Sequence, residues 1–302
     1  MLKNKKIICV SPVGRKRYME ILFPYILKNK HIIDEYHLWF NTKNSEDASY
    51  IRSFAEANKN FVKIIENDSQ YLGKVDNVKF FYKYCTDPDT IYIKIDDDIV
   101  FIEDGTFEKL VNFKINNPHY FLVYPMIINN HWCSYFLKEK GIIDNHSSTL
   151  NDWKNNFDKV RAQMSIKTSE PRLHHFLKPE QILCNHFWGN GEVAYNILNN
   201  FIKDVKENNI GKYKIGNIEL VNKESCSINF ICWEGETFKE FNGNVESLED
   251  ESWLTTFYPL YSNQTNCICS DSIVVHYSFY IQREYLDKSD ILQKYKELCL
   301  TY

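Results

Sequence analysis

Apolar positions in the first hundred residues alternate between two periods. Lys6 to Val10 is a short β-branched run that predicts a strand. Tyr18, Ile21, Leu22, Tyr25 and Ile26 then recur at helical spacing, with Pro24 predicting a kink or an early end. Glu35 to Thr42 predicts a second strand, and Asn44 or Ser45 the N-cap of a helix whose first turn is acidic. Phe61 to Glu66 gives a third strand, and Val75, Val78, Phe81 and Tyr82 a second helical face. Asp87-Pro88-Asp89 has turn chemistry, and Thr90 to Ile95 predicts a fourth strand. Strands separated by helices imply right-handed crossovers and a parallel α/β sheet, which binds ligands beyond the carboxyl ends of its strands.

After Phe101 the rhythm changes. Phe107 to Val111 reads as helix and Tyr120 to Ile128 as an apolar strand, whereas 129–180 is rich in Asn, His, Trp and Lys without a clear period. A helix over Glu192 to Val205, a strand pair near Ile218 to Trp233, and a helix from Glu249 follow. A strand over Ser272 to Tyr277 and a terminal helix over Ile291 to Leu300 complete the pattern. With no repeat, low-complexity tract or linker, 1–302 is expected to form one unit.

Composition narrows the class. At 302 residues, 44% hydrophobic and 25% charged, the chain can bury a sizeable core, which argues against disorder. The formal net charge of −4 lacks the basic footprint of a nucleic-acid binder. The basic start is followed by only a brief apolar run before Pro12, Gly14, Arg15 and Lys16, so no signal peptide is expected. No stretch approaches the ~20 apolar residues of a transmembrane segment. Nine scattered cysteines without a C-x-x-C pair read as reduced thiols of a cytoplasmic protein. The sequons at Asn67, Asn145 and Asn263 add little without a secretory signal.

The chemistry concentrates in Ile91-Tyr-Ile-Lys-Ile-Asp96-Asp97-Asp98. Three adjacent carboxylates disfavour joint ionisation and call for a cation. Their hard oxygens suit Mg²⁺ or Mn²⁺, ions that also bridge the oxygens of a nucleotide diphosphate. Period-two alternation puts Asp96 and Asp98 on one side of the strand tip. A solvated acidic turn is the plainer alternative.

The strand ending in this triplet resembles the donor half of GT-A glycosyltransferases, in which a D-x-D motif closes a strand of a Rossmann-like sheet. The resemblance covers Lys6 to Glu103 and thins beyond it. It implies a GT-A fold with a mostly parallel sheet, a donor half over 1–105, a smaller mixed acceptor half over 106–285 and a C-terminal helix over 286–302. It also implies metal ligation by Asp96 and Asp98, with Asp97 beside them at the donor. His276, late in Asp271-Ser-Ile-Val-Val-His276, matches the histidine that such enzymes often place on the metal. Asp250 matches the catalytic base of inverting members, with Glu249 and Glu251 as rivals should the register differ by one. Acids opening a helix also serve its dipole.

Ser11, Pro12 and Arg15 after the first strand, and Lys74 and Asn77 before the motif strand, fall where the family contacts base, ribose and phosphate. Trp188 is a candidate sugar-stacking ring or a core residue, and His174-His175 reads as structural. The expected activity is transfer of a sugar from a UDP- or GDP-sugar to a glycan or other hydroxyl acceptor, with inversion. Alternatives are a sugar-phosphate nucleotidyltransferase, for which Ser11 to Arg17 is a faint signature, and a non-catalytic nucleotide- or glycan-binding protein. The acidic cluster lacks the spacing of a calcium loop.

Overall fold

A computed structural model describes residues 5–143, 179–222, 224–246 and 249–302. Its nine strands form one mixed sheet: β1 (Lys6–Val13), β2 (Glu35–Phe40), β3 (Val62–Ile65), β4 (Thr90–Ile95), β5 (Ile99–Ile102), β6 (Tyr120–Ile128), β7 (Ile218–Leu220), β8 (Phe230–Glu234) and β9 (Thr265–His276). The order is β3-β2-β1-β4-β8-β6-β9-β5, with β7 also on β9. From β3 to β4 every pairing is parallel, as the alternating strands and helices predict. Beyond β4 only β6 and β9 run parallel, and the other pairings are antiparallel, so the sheet is mixed rather than mostly parallel.

Helices flank the sheet: α1 (Lys16–Lys28), α2 (Ser45–Ala57), α3 (Thr106–Asn116), α4 (His131–Glu139), α5 (Pro179–Gly189), α6 (Gly191–Lys206) and α7 (Ile291–Thr301). Helix α1 continues through Pro24. Its buried face of Tyr18, Ile21, Leu22, Tyr25 and Ile26 holds it to the sheet, while Pro24 faces solvent, where water reaches the carbonyl it leaves unbonded. Asn44, not Ser45, caps α2, its side chain accepting from the backbone N–H groups of Glu46 and Asp47 at 2.9 and 3.0 Å. Val75–Tyr84 winds as a 3-10 helix and buries Phe81 and Tyr82 against Trp39, whose ring stacks on Phe81 at 5.2 Å.

Three further expectations change. β7 and β8 do not pair with each other: β7 lies on β9, and β8 fills the gap between β4 and β6. β8 is buried over Phe230–Trp233, and such a run does not encode its neighbours. β9 begins at Thr265, well before Ser272, because the polar Ser270 and Ser272 are buried inside it beside a break in the β6 register. Strand β5 and helices α4 and α5 were not foreseen. Among the described residues, no helix is long and apolar enough to cross a membrane, and all nine cysteines are free thiols. His174-His175 and the Asn145 sequon lie outside the described residues.

Candidate active site

The aspartate triplet is the turn between β4 and β5, two strands far apart in the sheet. Strand β5 pairs antiparallel with β9, setting Ile99 opposite His276, and Tyr277 N–H donates to the Asp98 carbonyl at 2.9 Å. That register brings Asp98 Oδ1 to 3.6 Å from His276 Nε2. His276 Nδ1 lies 3.2 Å from the Asn129 carbonyl, to which it can only donate, and Nε2 is the ring nitrogen that faces Asp98. Asn129, at the left-handed φ of 62°, donates its amide to the carbonyls of His276 and Tyr277 and to Gln282 Oε1. The end of β6 thus holds the end of β9 in place.

The three carboxylates divide unevenly. Asp97 and Asp98 are buried and share Arg15: Nη2 donates to both, at 2.9 Å to Asp98 Oδ2, and Nε donates to Asp97 at 3.0 Å. Gly14 N–H also donates to Asp97 at 3.1 Å. Arg283 Nη2 approaches Asp98 Oδ2 at 3.5 Å. Asp96 turns away to the buried Lys94, whose Nζ donates to its Oδ1 at 2.5 Å and to the Ile228 carbonyl at 2.9 Å. Asn229 Nδ2 donates to Asp96 Oδ2 at 3.3 Å. Asp96 and Asp98 therefore do not share one side, because the strand ends at Ile95 and the triplet turns.

Electrostatics follow this division. Burial on its own would lift the Asp98 carboxyl, but Arg15, His276 and Arg283 hold it far below the usual carboxylate range. At Asp96 and Asp97 burial prevails, and both carboxyls rise despite Lys94 and Arg15. Burial would lower the Lys94 ammonium, yet Asp96, Asp250 and Glu251 more than offset it.

Asp250 and Glu251 begin a wound segment made of Asp250–Ser252, a π-helical turn Trp253–Phe257 and Tyr258–Tyr261. Asp250 Oδ2 accepts from Tyr82 O–H at 3.0 Å. Burial pushes the Glu251 carboxyl up to about 7, against a hydrogen bond with the Ser227 side chain, and Asp250 raises it further. Ser227 Oγ also lies 3.4 Å from His131 Nδ1, while His131 Nε2 bonds the Ser225 carbonyl at 2.9 Å. Burial lowers His131 to about 4, so it is neutral near pH 7. Residues 225–229 wall the site from Asp96 to Glu251. Glu249 precedes this segment as its N-cap without a side-chain capping bond.

The remaining candidates scatter. β1 runs to Val13, so Ser11 and Pro12 lie inside the strand instead of after it. Ser11 is fully buried, and its Oγ accepts from Tyr36 O–H at 2.9 Å. Lys74 and Asn77 gather at the end of β2 through Asn41: the Lys74 carbonyl accepts from Asn41 Nδ2 at 2.9 Å, and Asn77 Nδ2 donates to Asn41 Oδ1 at 3.0 Å. Trp188, part-buried, lies 6.3 Å from Phe279, whose ring is 4.7 Å from His276. Lys94, Asn129, His131, Ser227 and Arg283 were not singled out from sequence. A lysine within an apolar strand was the one visible signal.

A divalent cation fits one part of this arrangement. At metal–ligand distances of about 2.1 Å, two ligands of one ion stand roughly 3.0 to 4.2 Å apart, and the Asp98–His276 separation of 3.6 Å falls in that range. The carbonyl bond to the second ring nitrogen is the support that ligating histidines use. Asp96 does not join them. Among the described residues, no group of three or more His, Cys, Asp or Glu is spaced to hold a metal. Mg²⁺ commonly takes one or two protein ligands and completes its shell with water and phosphate oxygens.

No protein-family model matches the chain, and no curated protein is significantly similar to it.

Proposed function

We propose that this chain is a metal-assisted glycosyltransferase that uses a nucleotide-diphospho-sugar donor, with Glu251 rather than Asp250 as the base that activates the acceptor hydroxyl. The observation carrying this reading is the turn at the carboxyl end of β4, which sets Asp98 against His276 and beside two guanidinium groups. Such strand ends are where α/β sheets bind ligands. Asp98 and His276 would hold Mn²⁺ or Mg²⁺, which when bound supplies Lewis-acid stabilisation of the departing diphosphate.

The chain's own groups carry the rest. Arg15 and Arg283 face the position of the phosphates and orient them. Glu251, with a carboxyl near 7, is matched to accept a proton from a hydroxyl around neutral pH. Asp250 is instead engaged by Tyr82, and the charges of Asp96, Asp250 and Glu251 all act on the buried Lys94 ammonium. A base on the acceptor side favours inversion at the anomeric carbon.

The test is release of nucleoside diphosphate from a panel of UDP- and GDP-sugars with Mn²⁺, comparing wild type, Asp98→Asn, Glu251→Gln and Asp250→Asn. Metal-dependent release from one donor, lost in Asp98→Asn, is expected. Glu251→Gln should lose acceptor-dependent transfer while retaining donor binding, and Asp250→Asn should retain both. Neither turnover nor metal-dependent binding of any donor would sink the reading.

A further inference from the structure

We infer that Ser227 and His131 are positioning residues for the Glu251 base: one hydroxyl hydrogen turns between Glu251 and His131 Nδ1, so that each protonation state of the carboxyl finds a partner. The device rests on the reading of Glu251 as the base, but its hydrogen bonds are testable on the protein alone.

Ser227 is buried, and its hydroxyl has one hydrogen for two claimants. His131 Nε2 lies 2.9 Å from the Ser225 carbonyl, which only accepts, so this nitrogen carries the ring's hydrogen. The ring is neutral near pH 7, and Nδ1 therefore holds a lone pair. Ser227 Oγ stands 3.4 Å from that Nδ1 and is also hydrogen-bonded to Glu251. While Glu251 is ionised, the hydroxyl donates to it, as the stronger acceptor. Once Glu251 is protonated, its own O–H donates to Ser227 Oγ, and the hydroxyl hydrogen turns to His131 Nδ1. A separation of 3.4 Å suits a link made in only one of the two states. In the proton transfer, the O–H bond of the sugar acceptor breaks, its electron pair stays on that oxygen and its proton joins a Glu251 oxygen. The Ser227 hydrogen never leaves Oγ, and His131 gains no charge.

Only a hydrogen has to move, because the heavy atoms are pinned. Asn130, the cap of α4, donates from Nδ2 to the Ser227 carbonyl at 3.0 Å and to Asn229 Oδ1 at 3.2 Å. Its Oδ1 accepts from the N–H groups of Trp132 and Cys133 and, at 3.4 Å, from Cys226 Sγ. One residue thus ties the helical turn carrying His131 to the strip carrying Ser227. Farther along, the Ile228 carbonyl accepts from Lys94, and the Asn229 carbonyl from Asp96 N–H at 2.8 Å. The other titratable groups acting on or sensing Glu251 are Asp250 on its own segment, Lys94 and Asp96 at the end of β4, Tyr124 on β6, and Cys226. His276, on β9, opposes protonation of His131. Exchanges at 131 and 227 leave all of these charges in place.

Carboxyl ¹³C NMR of glutamate-labelled protein, with chelator present, follows Glu251 from about pH 4 to about pH 9, its signal being the one missing in Glu251→Gln. The wild-type midpoint should lie at about 7. Ser227→Ala removes the donor to the carboxylate and should raise the midpoint by about one pH unit. His131→Gln keeps an amide N–H for the Ser225 carbonyl but removes the acceptor at Nδ1, and should lower it by about one pH unit. His131→Asn, whose side-chain oxygen can take the Nδ1 position, should recover at least half of that fall. In a Ser227→Ala background, His131→Gln should move the midpoint by less than about 0.3 pH unit, because the link is already cut. Opposed signs are the signature, since loosening of the wall alone would move both variants the same way. A His131→Gln midpoint equal to wild type, or a fall that persists in full without Ser227, would overturn the switch. ¹⁵N NMR of wild type gives a reading that needs no variant: at pH 7 His131 should be the neutral tautomer with its hydrogen on Nε2, and a charged ring or the other tautomer would equally defeat the idea. Sugar-donor turnover separates the switch from the transferase. Opposed NMR shifts with no donor turned over keep the switch and remove the transferase. Turnover whose acid limb ignores both variants keeps the transferase and removes Ser227 and His131 from its base.

Discussion

Replacing Glu251 by Gln should stabilise the protein at alkaline pH and leave it unchanged in acid. Burial lifts this carboxyl from 4.5 to about 7, and nearby Asp250 and Asp96 add to the rise. Below about pH 4.5 the group is protonated in both the folded and unfolded chains, so it costs nothing. Between about 4.5 and 7 the unfolded chain releases its proton first, and folding loses stability as pH rises. Above 7 the full cost stands. A rise of that size corresponds to about 3 kcal/mol, and solvent at this part-buried side chain reduces it to roughly 1–2 kcal/mol. Urea unfolding of wild type and Glu251→Gln, with chelator present, at pH 4.5 and pH 8 measures it. The variant should match wild type at the lower pH and exceed it by about 1–2 kcal/mol at the higher. Parallel pH dependences, or a variant less stable at pH 8, would refute a carboxyl held near 7.

Three other outcomes follow from the packing. Lys94→Met should cost about 3–5 kcal/mol in the same assay by stranding Asp96, and adding Asp96→Asn should restore most of it; a single-variant cost under about 1 kcal/mol would contradict the pairing. Gly243→Ala should cost about 2–4 kcal/mol, since φ is 65° and a Cβ would lie 2.4 Å from the Tyr82 carbonyl oxygen, whereas Gly211→Ala, with open space around it, should stay within about 0.5 kcal/mol of wild type. Burial would lift the Glu35 carboxyl, but hydrogen bonds from Lys6, Lys63 and His37 hold it at about 2. Its contribution is therefore present above about pH 4.5 and fades towards pH 2, so Glu35→Gln should cost about 1–2 kcal/mol at pH 7 and nothing at pH 2 by urea unfolding.

Much of the first half was legible because each element there carries its own period. Thr90–Ile95 and Tyr120–Ile128 are continuous apolar runs bounded by turn or polar residues, and the structure keeps both limits. Helix α6 announces itself through Val193, Ala194, Ile197, Leu198 and Phe201 on one face. Strand β5 was missed because Ile99–Ile102 is too short to declare a period and follows a motif that drew the eye. Pairing was harder still. The Asp98–His276 contact depends on β5 lying against β9, a choice made by tertiary packing that leaves no local trace. The choice between Asp250 and Glu251 stayed open in the sequence for a related reason. Asp250 and Glu251 are equivalent helix-opening acids in sequence, and only Tyr82 beside one and Ser227 beside the other distinguish them. Arg283 could not be read at all, because its importance comes from the turn that returns it to Asp98.

The placement of the triplet between an interior strand and an edge strand has a consequence for synthesis. Asp98 is made early, but its partners His276 and Arg283 are made near the end, and β9 can close on β5 only after most of the chain has emerged. Until then the growing polypeptide has strands for the parallel part of the sheet but neither the histidine nor the second guanidinium. A chain stopped before β9 therefore lacks both the Asp98–His276 and the Asp98–Arg283 contacts. Formation of the Asp98–His276 contact and completion of the sheet become one event.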